Sequence, residues 1–366
     1  MRTTPQKVTG TRHFAPCRSG DTCYLPAVAD TAHSDRKTLR LATCGKCKAK
    51  HWLSEGHGTL DPIPCNKCGH PVIVPSQIRH FEVREVIASG GMGTVYRAFD
   101  TSLQRMVAIK MLKREMARDK QVMDSLYREA RATAALNHTN IIHIYGFDEL
   151  DERPFLVMEL ADHGSLDSWI ERDGSVPELY VLDVGIKVIS ALESALQRNL
   201  LHRDIKPGNI LFDEYNEPKL VDFGLACAAE DKKEYEADVF GTPYYVAPEK
   251  IQRHGEDFRS DMYSLGGTLY HALTGHVPFE AETVEEVVAG HVHTPLTPPN
   301  HVRPEISQAT SDAIATAMDK DPAQRFPSYA DFKMALEASR SILLVQSMQQ
   351  QSTDEAGSRP GPWWKR

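Results

Sequence analysis

The sequence predicts an α+β fold of two lobes, one rich in strands and the next helical, with a small cysteine-containing module in front. Three observations predict it. Short runs rich in Val, Ile, Tyr and Phe crowd residues 81–111, the mark of half-buried strands. Apolar residues recur at helical spacing over 177–199, 260–275 and 328–345, the mark of amphipathic helices. Four of the seven cysteines fall upstream as two CxxC pairs. A chain of 366 residues has room for one large two-lobed unit and a smaller one. With 41% apolar and 25% charged residues, it falls in the globular class and outside the disordered one.

Residues 1–38, rich in Thr, Pro, Ser, Asp and Gly without a sustained period, are expected to be disordered. Residues 39–75 form the module, and 76–80 a linker. In it, Cys44-Gly45-Lys46-Cys47 and Cys65-Asn66-Lys67-Cys68 are separated by 17 residues. Each pair presents two sulfurs to one ion, which predicts a structural Zn2+ site of four thiolates, Cys44, Cys47, Cys65 and Cys68. A redox disulfide pair or simple burial is the alternative. His51, His57 and His70 are near enough to compete as ligands, yet four cysteines already close the site. Cys17, Cys23 and Cys227 receive no role. Lys46, Lys48, Lys50 and Lys67 with His51 and Trp52 suit a nucleic acid, and such a module equally serves protein docking or dimerisation. A regulatory or targeting role is the expectation.

The lobes follow. Strands are expected at 81–87, 93–99 and 106–111, a helix at 121–136 through Leu126, Ala130, Thr133 and Leu136, and strands at 141–147 and 155–159. Helices then take over around the loop-rich stretch 202–258. The large domain is expected to span 81–345, with 346–366 a disordered tail whose Trp363 and Trp364 could meet a partner or a membrane surface. Residues 1–80 carry 12 Lys/Arg against 5 Asp/Glu, although the whole chain has a net charge of -8. A basic module thus precedes an acidic domain, which fits a polyanionic partner, docking between the two, or solvated faces. No run approaches the ~20 apolar residues of a membrane span, and the start has no apolar signal core. The expected location is the cytoplasm, with no membrane partner.

Phosphoryl transfer asks for a phosphate-covering loop, a cation, metal ligands and a base, and all four occur in order. Ser89-Gly90-Gly91-Met92-Gly93-Thr94-Val95 links two strands, and its glycines let N–H groups approach phosphate oxygens. Alone it is a turn. Val107-Ala108-Ile109-Lys110 is a strand able to aim Lys110 beneath that loop, with Glu129 on the following helix as its anchor. His202-Arg203-Asp204-Ile205-Lys206-Pro207-Gly208-Asn209, then Asp222-Phe223-Gly224 and Ala247-Pro248-Glu249, complete the set.

On these motifs, from about Phe81 to Val345, the chain resembles the eukaryotic-type protein kinase superfamily, in its serine/threonine branch and especially its bacterial Hanks-type members. The resemblance implies the bilobal protein kinase fold behind a zinc ribbon. It implies ATP and Mg2+ (or Mn2+) as cofactors and protein Ser/Thr hydroxyls as acceptors. It makes Asp204 the base, Asn209 and Asp222 the magnesium ligands, and Lys206 a neutraliser of the transferred group. Lys110 and Glu129 form its ion pair. The nucleotide would lie under Ile87, Ala88, Ser89, Gly90, Gly91, Met92, Gly93, Thr94 and Val95. Ala108, Lys110, Met158 and Leu211 would line its site, with hinge hydrogen bonds from Glu159 and Ala161. Lys206 and Gly241-Thr242-Pro243 favour Ser/Thr over Tyr acceptors. Arg325 resembles the partner of Glu249, and Asp261 the residue bracing the catalytic loop.

Two departures stand out. Ala88 replaces the first glycine of the usual loop, a change expected to raise the KM for ATP at most. Between Gly224 and Gly241 there is no Ser or Thr, although Arg203, which would pair with a phosphate there, is present. One of Glu230, Asp231, Glu234, Glu236 and Asp238 could supply the charge instead, or the loop is a solvated acidic segment. The readings competing with a kinase are a non-catalytic ATP-binding scaffold and a nucleic-acid-associated regulator.

Overall fold

A computed structural model describes residues 39–54, 60, 62–90, 93–118, 120–223 and 243–357. The expected disorder of 1–38, the acidic segment 230–238 and Trp363/Trp364 lie outside the described residues.

Two small hairpins open the described chain. β1 (Leu39–Thr43) pairs with β2 (Lys50–Ser54), and β3 (Ile63–Pro64) with β4 (Pro71–Val72). Each CxxC occupies a hairpin's turn, and the two turns are built alike. The amide of the first cysteine donates five residues ahead, Cys44 to Ala49 O and Cys65 to His70 O, each at 2.8 Å. The fifth residue of each turn is left-handed, Lys48 at φ 58° and Gly69 at 73°, the geometry that folds a short turn back on itself.

The segment expected as a linker, 76–80, is not one. Its residues Ser76–Ile78 form β5, which pairs antiparallel with β6 (Phe81–Ser89). It becomes the edge of a six-stranded antiparallel sheet completed by β7 (Gly93–Asp100), β8 (Arg105–Leu112), β9 (Ile144–Leu150) and β10 (Arg153–Met158), in the order β5-β6-β7-β8-β10-β9. Three residues of strand were too short a signal to separate from a connection, and Ile78, almost fully buried, shows what drives them into the sheet. β7 alternates cleanly, with Thr94, Tyr96, Ala98 and Asp100 buried, as a strand with one packed face must. Across the sheet, α2 (Lys120–Ala134) lays Leu126 and Ala130 against Leu112 and Leu156. β9 starts three residues later than its apolar run suggests, because Ile141 instead bridges to Leu220 in the other lobe.

In the helical lobe, α3 (Leu166–Asp173) starts from a Ser165/Ser168 capping box, which satisfies two otherwise orphaned amides. α4 (Glu178–Leu196) is apolar nearly all round and therefore central. A hairpin of β11 (Ile210–Phe212) and β12 (Pro218–Leu220) follows the loop 202–209. After the short α5 (Pro248–Ile251), α6 (Phe258–Thr274) crosses the lobe, capped by Asp257 and ended by left-handed Gly275. α7 (Val284–His293), α8 (Pro299–Val302) and α9 (Gln308–Ala317) follow, then α10 (Tyr329–Gly357). Leu182, Ile189, Leu192, Leu269, Ile314 and Phe332 share one continuous core. α10 runs well past the expected end at 345 into the expected tail, because no Gly or Pro interrupts it before Gly357. No helix among the described residues is long and apolar enough to cross a membrane.

Candidate active site

The glycine loop is the turn between β6 and β7. Ala88 faces Val95 and Ser89 faces Thr94 in register, Gly90 N–H donates to Gly93 O at 2.9 Å, and the hydroxyls of Ser89 and Thr94 lie 3.4 Å apart. Gly91 and Met92 fall outside the described residues. Gly93 is required by space: a Cβ there would sit 2.5 Å from Met111 O. Ala88 lies just past a register shift in β6, with an exposed side chain whose methyl group is accommodated.

The next register places Lys110 beside Val95. Its ammonium reaches Asp222 Oδ1 at 2.7 Å. Glu129 is positioned on α2, with its side chain outside what is described. Enclosure alone would raise the pKa of Asp222, but the charge and hydrogen bond of Lys110, with His202 and Lys206 nearby, hold it below the ordinary carboxylate range.

Below lies the loop 202–209. His202 is fully buried and braced on both sides: its Nε2 meets Val221 O at 3.0 Å, and Asp204 N–H donates to its Nδ1 at 3.3 Å. Burial lowers its pKa against the pull of Asp261, Asp204 and Asp222, so the ring is neutral with its proton on Nε2. Asp261, at the start of α6, accepts from the amides of His202 at 2.7 Å and Arg203 at 2.8 Å, the bracing expected of it. The backbone of the site is left-handed in two places, at Arg203 (φ 68°) within the loop and at Asp222 (φ 62°) beyond it. Such strain persists only where surrounding bonds impose it, and here the Asp261 carboxylate and the buried His202 do so. The result is a tight polar group: Lys206 Nζ sits 2.7 Å from Asp204 Oδ2, and Asn209 Nδ2 donates to Asp204 O at 2.8 Å and to Oδ2 at 2.9 Å.

The two charged centres are bridged by an apolar floor. Ala108 pairs with Met158, and Met158 and Leu211 pack on Ile142, Ala161 and Val221; Ile87 and Val95 are half-buried above them. At the connection between lobes, Glu159 N–H is already committed to His143 O at 2.8 Å, so its carbonyl is the group left for a ligand. Sequence reasoning missed what holds this connection. Lys219, nearly buried, meets Glu159 Oε1 at 2.5 Å and Asp213 Oδ2 at 3.7 Å, and His143 Nδ1 lies 2.9 Å from Glu159 Oε2. A lysine in a three-residue strand carries no signal until its partners converge. Further down, Arg325 and Glu249 form the expected buried pair, bidentate at 2.7 and 2.8 Å, and Ser260 Oγ adds a bond of 2.6 Å. Burial would raise Glu249, but the hydrogen bonds and charge of Arg325 keep it below its ordinary pKa.

The four cysteines of the module converge. Cys44 Sγ lies 3.6 Å from Cys68 Sγ and Cys47 Sγ 3.5 Å from Cys65 Sγ, with all four sulfurs within 4.8 Å of one another. Four thiolates on a tetrahedral zinc at ~2.3 Å would lie about 3.8 Å apart, so the set fits one ion. The chemistry agrees. The amide of Cys47 leads the influences that lower Cys44 to about 6. At Cys68 the His70 amide works downward, but desolvation and the three neighbouring thiols push the pKa up to about 12, the mutual opposition that a shared cation would relieve. His51 Nε2 lies 3.3 Å from Cys65 Sγ, outside the four-sulfur set. His70 turns away, its Nε2 3.3 Å from Val86 O in β6.

Residues 81–337 match the family model described as protein kinase domain. Similar curated proteins include a probable serine/threonine-protein kinase of Clostridium perfringens, 34% identical over 67% of this chain and 36% of that protein. PksC of Streptomyces coelicolor is 36% identical, over 68% of this chain and 47% of that protein. PrkC of Bacillus subtilis is 33% identical, over 71% and 41%. The chain thus spans less than half the length of these relatives.

Proposed function

The chain belongs to the protein kinase family, with bacterial Hanks-type serine/threonine kinases among its relatives, and from that premise we propose that it transfers the γ-phosphoryl group of ATP to Ser/Thr hydroxyls of proteins. The observation carrying this reading is the polar group at Asp204: a carboxylate held by Lys206 and Asn209 beside a second carboxylate, Asp222, held by Lys110. The scaffold alternative leaves that arrangement without a purpose.

In this reading Asp204 orients the acceptor hydroxyl and takes its proton as the oxygen bonds to the γ-phosphorus, the bridging bond to ADP breaks, and ADP leaves with its electron pair. Lys206 lies on the same carboxylate and screens the transferred group. Lys110 holds the non-reacting phosphates, with Glu129 as its further anchor. Asp222 and the amide oxygen of Asn209, whose nitrogen is engaged with Asp204, are hard oxygen donors suited to Mg2+ or Mn2+. Once bound, the metal would neutralise charge on the phosphates. The apolar floor at Ala108, Met158 and Leu211 takes the adenine, between the Glu159 carbonyl and the Ala161 amide. We assign the protein to the cytoplasm, in keeping with paired thiols reserved for metal.

We further read the cysteine module as a zinc-dependent regulator of the glycine loop. Its support is docking onto the strands that carry that loop. Tyr96 in β7 is fully buried and donates its hydroxyl to Leu60 O at 2.7 Å, Leu60 and Ile73 share the core of the strand-rich lobe, and His70 meets β6. This docking favours regulation in cis over nucleic-acid binding, for which only the surface lysines speak. A protein partner, or a second copy, would have to use the face left exposed around Trp52.

Radiolabel transfer from γ-labelled ATP with magnesium, to the protein itself and to a basic test protein, decides the activity. Label on Ser/Thr that disappears in Asp204→Asn is expected. Equal labelling by the two proteins, or none from a folded wild type that binds ATP, would overturn it.

A further inference from the structure

Arg203 is the one member of the catalytic loop whose side chain the chemistry above leaves without a task. In a loop controlled by phosphorylation its guanidinium would wait for a phosphate, yet residues 225–240 contain no Ser or Thr. The structure gives it another partner. Arg203 Nε lies 3.3 Å from Glu256 Oε2, with the two side chains only 15% and 23% exposed. Both atoms are out of solvent, and neither meets hydrogen-bond geometry with any group among the described residues, so what joins them is charge at ion-pair distance. Two opposite charges thus face one another in a mostly enclosed position, where each offsets part of the cost of enclosing the other.

Glu256 is also well placed to matter. It lies immediately before Asp257, the cap of α6, whose first turn carries Asp261. Asp261 in turn holds the His202 and Arg203 amides, and Lys250 Nζ holds Arg203 O at 2.8 Å. Arg203 is thereby fixed at its amide, its carbonyl and its side chain, in a left-handed conformation one residue before Asp204.

We propose that Glu256 is a positioning residue, a built-in counter-charge that holds Arg203, and through it Asp204, in working geometry without phosphorylation of the activation segment. The proposal rests on the kinase reading of the same site. A carboxylate delivers to a guanidinium the charge-assisted contact a phosphate would, and being encoded it makes the enzyme constitutively competent. Regulation then falls to whatever acts on the strand-rich lobe.

The test compares phosphatase-treated full-length proteins for phosphoryl transfer, with melting temperature as the folding control. The wild type is expected to keep its rate after phosphatase treatment. Glu256→Gln, which preserves shape and removes charge, is expected to lose about tenfold in kcat with the KM for ATP unchanged, and Glu256→Asp to recover part of that loss. Arg203→Met should cost as much as Glu256→Gln, and the double variant no more than either. A triple Glu234→Gln/Glu236→Gln/Asp238→Asn variant should run at the wild-type rate; a loss there would hand the role to the acidic segment and overturn the proposal. Full kcat in Glu256→Gln, additive losses in the double variant, or a phosphatase-sensitive wild type would each overturn it while leaving the kinase reading intact. A folded wild type that transfers no phosphate would overturn both.

Discussion

The cysteine module and the helical lobe are held together by opposite means. The module's own cluster consists of Ala42, Val72 and buried Cys44 and Cys65, with Cys47 and Ala49 at its margin. The helical lobe buries side chains from α3, α4, α6, α9 and α10 in one core and adds a buried bidentate ion pair. A chain segment of some forty residues with so little to bury cannot offset its own ordering entropy. In the proposed reading it would depend on an ion held by its four sulfurs and on its neighbour, to which it contributes Leu60 and Ile73. The helical lobe depends on neither. A change at the sulfurs should therefore travel toward the glycine loop, whereas a change in the helical core should be felt as global stability.

The sharpest way to break this comparison is to remove the metal. Cys44→Ser/Cys47→Ser, or a strong chelator, should reduce bound zinc from one equivalent to none. Roughly 10 kcal/mol of apparent folding free energy should be lost from the module. Hydrogen exchange should show its amides and those of β5 and β6 losing protection while α4 and α6 keep theirs, and the KM for ATP should rise. Uniform loss of protection would mean that the regions are one cooperative unit.

Next in size is the ion pair. Arg325→Met leaves Glu249 buried without a partner and should destabilise the helical lobe by about 3–5 kcal/mol in denaturant unfolding, with zinc content unchanged. The pH dependence follows from the depressed pKa of Glu249. The pair's stabilisation is fully present above the ordinary carboxylate pKa of 4.5 and is lost as pH falls through the lower folded value. The acid limb of the stability profile should therefore flatten in the variant. The smallest effect is expected at the seam. Tyr96→Phe strands the Leu60 carbonyl in the core and should cost about 1–3 kcal/mol, read as earlier exchange of the module's amides and unaltered unfolding of the helical lobe.

Much of the candidate site's arrangement was legible because its residues are carried by short contiguous motifs. The residues 202–209, Asp222 and Lys110 are each fixed to a strand or tight loop, so that order along the chain nearly dictates arrangement in space, and their neighbours Asp261 and Arg325 follow from the same resemblance. The cysteine cluster was legible too, since a CxxC turn sets its own geometry. Other features were hidden for physical reasons. Glu256 lies between a solvent-exposed stretch and a helix cap, where a glutamate is unremarkable until Arg203 is seen opposite. Lys219 and Tyr96 look like ordinary strand residues until burial leaves them needing Glu159 and Leu60. The β5 strand is three residues long and takes its place in the sheet by pairing with β6.

By itself, then, the sequence determined the two-lobed α+β plan, the ordered set of kinase-family motifs and the four-sulfur cluster, because periodicity and motif spacing are local properties of the chain. Only the tertiary structure decided that the cysteine module is joined to the sheet through β5, that it packs on β6 and β7 through Leu60, His70 and Ile73, and that Arg203 has a carboxylate neighbour. Those depend on which distant groups are driven together when apolar surface is buried and each enclosed polar atom must find its complement.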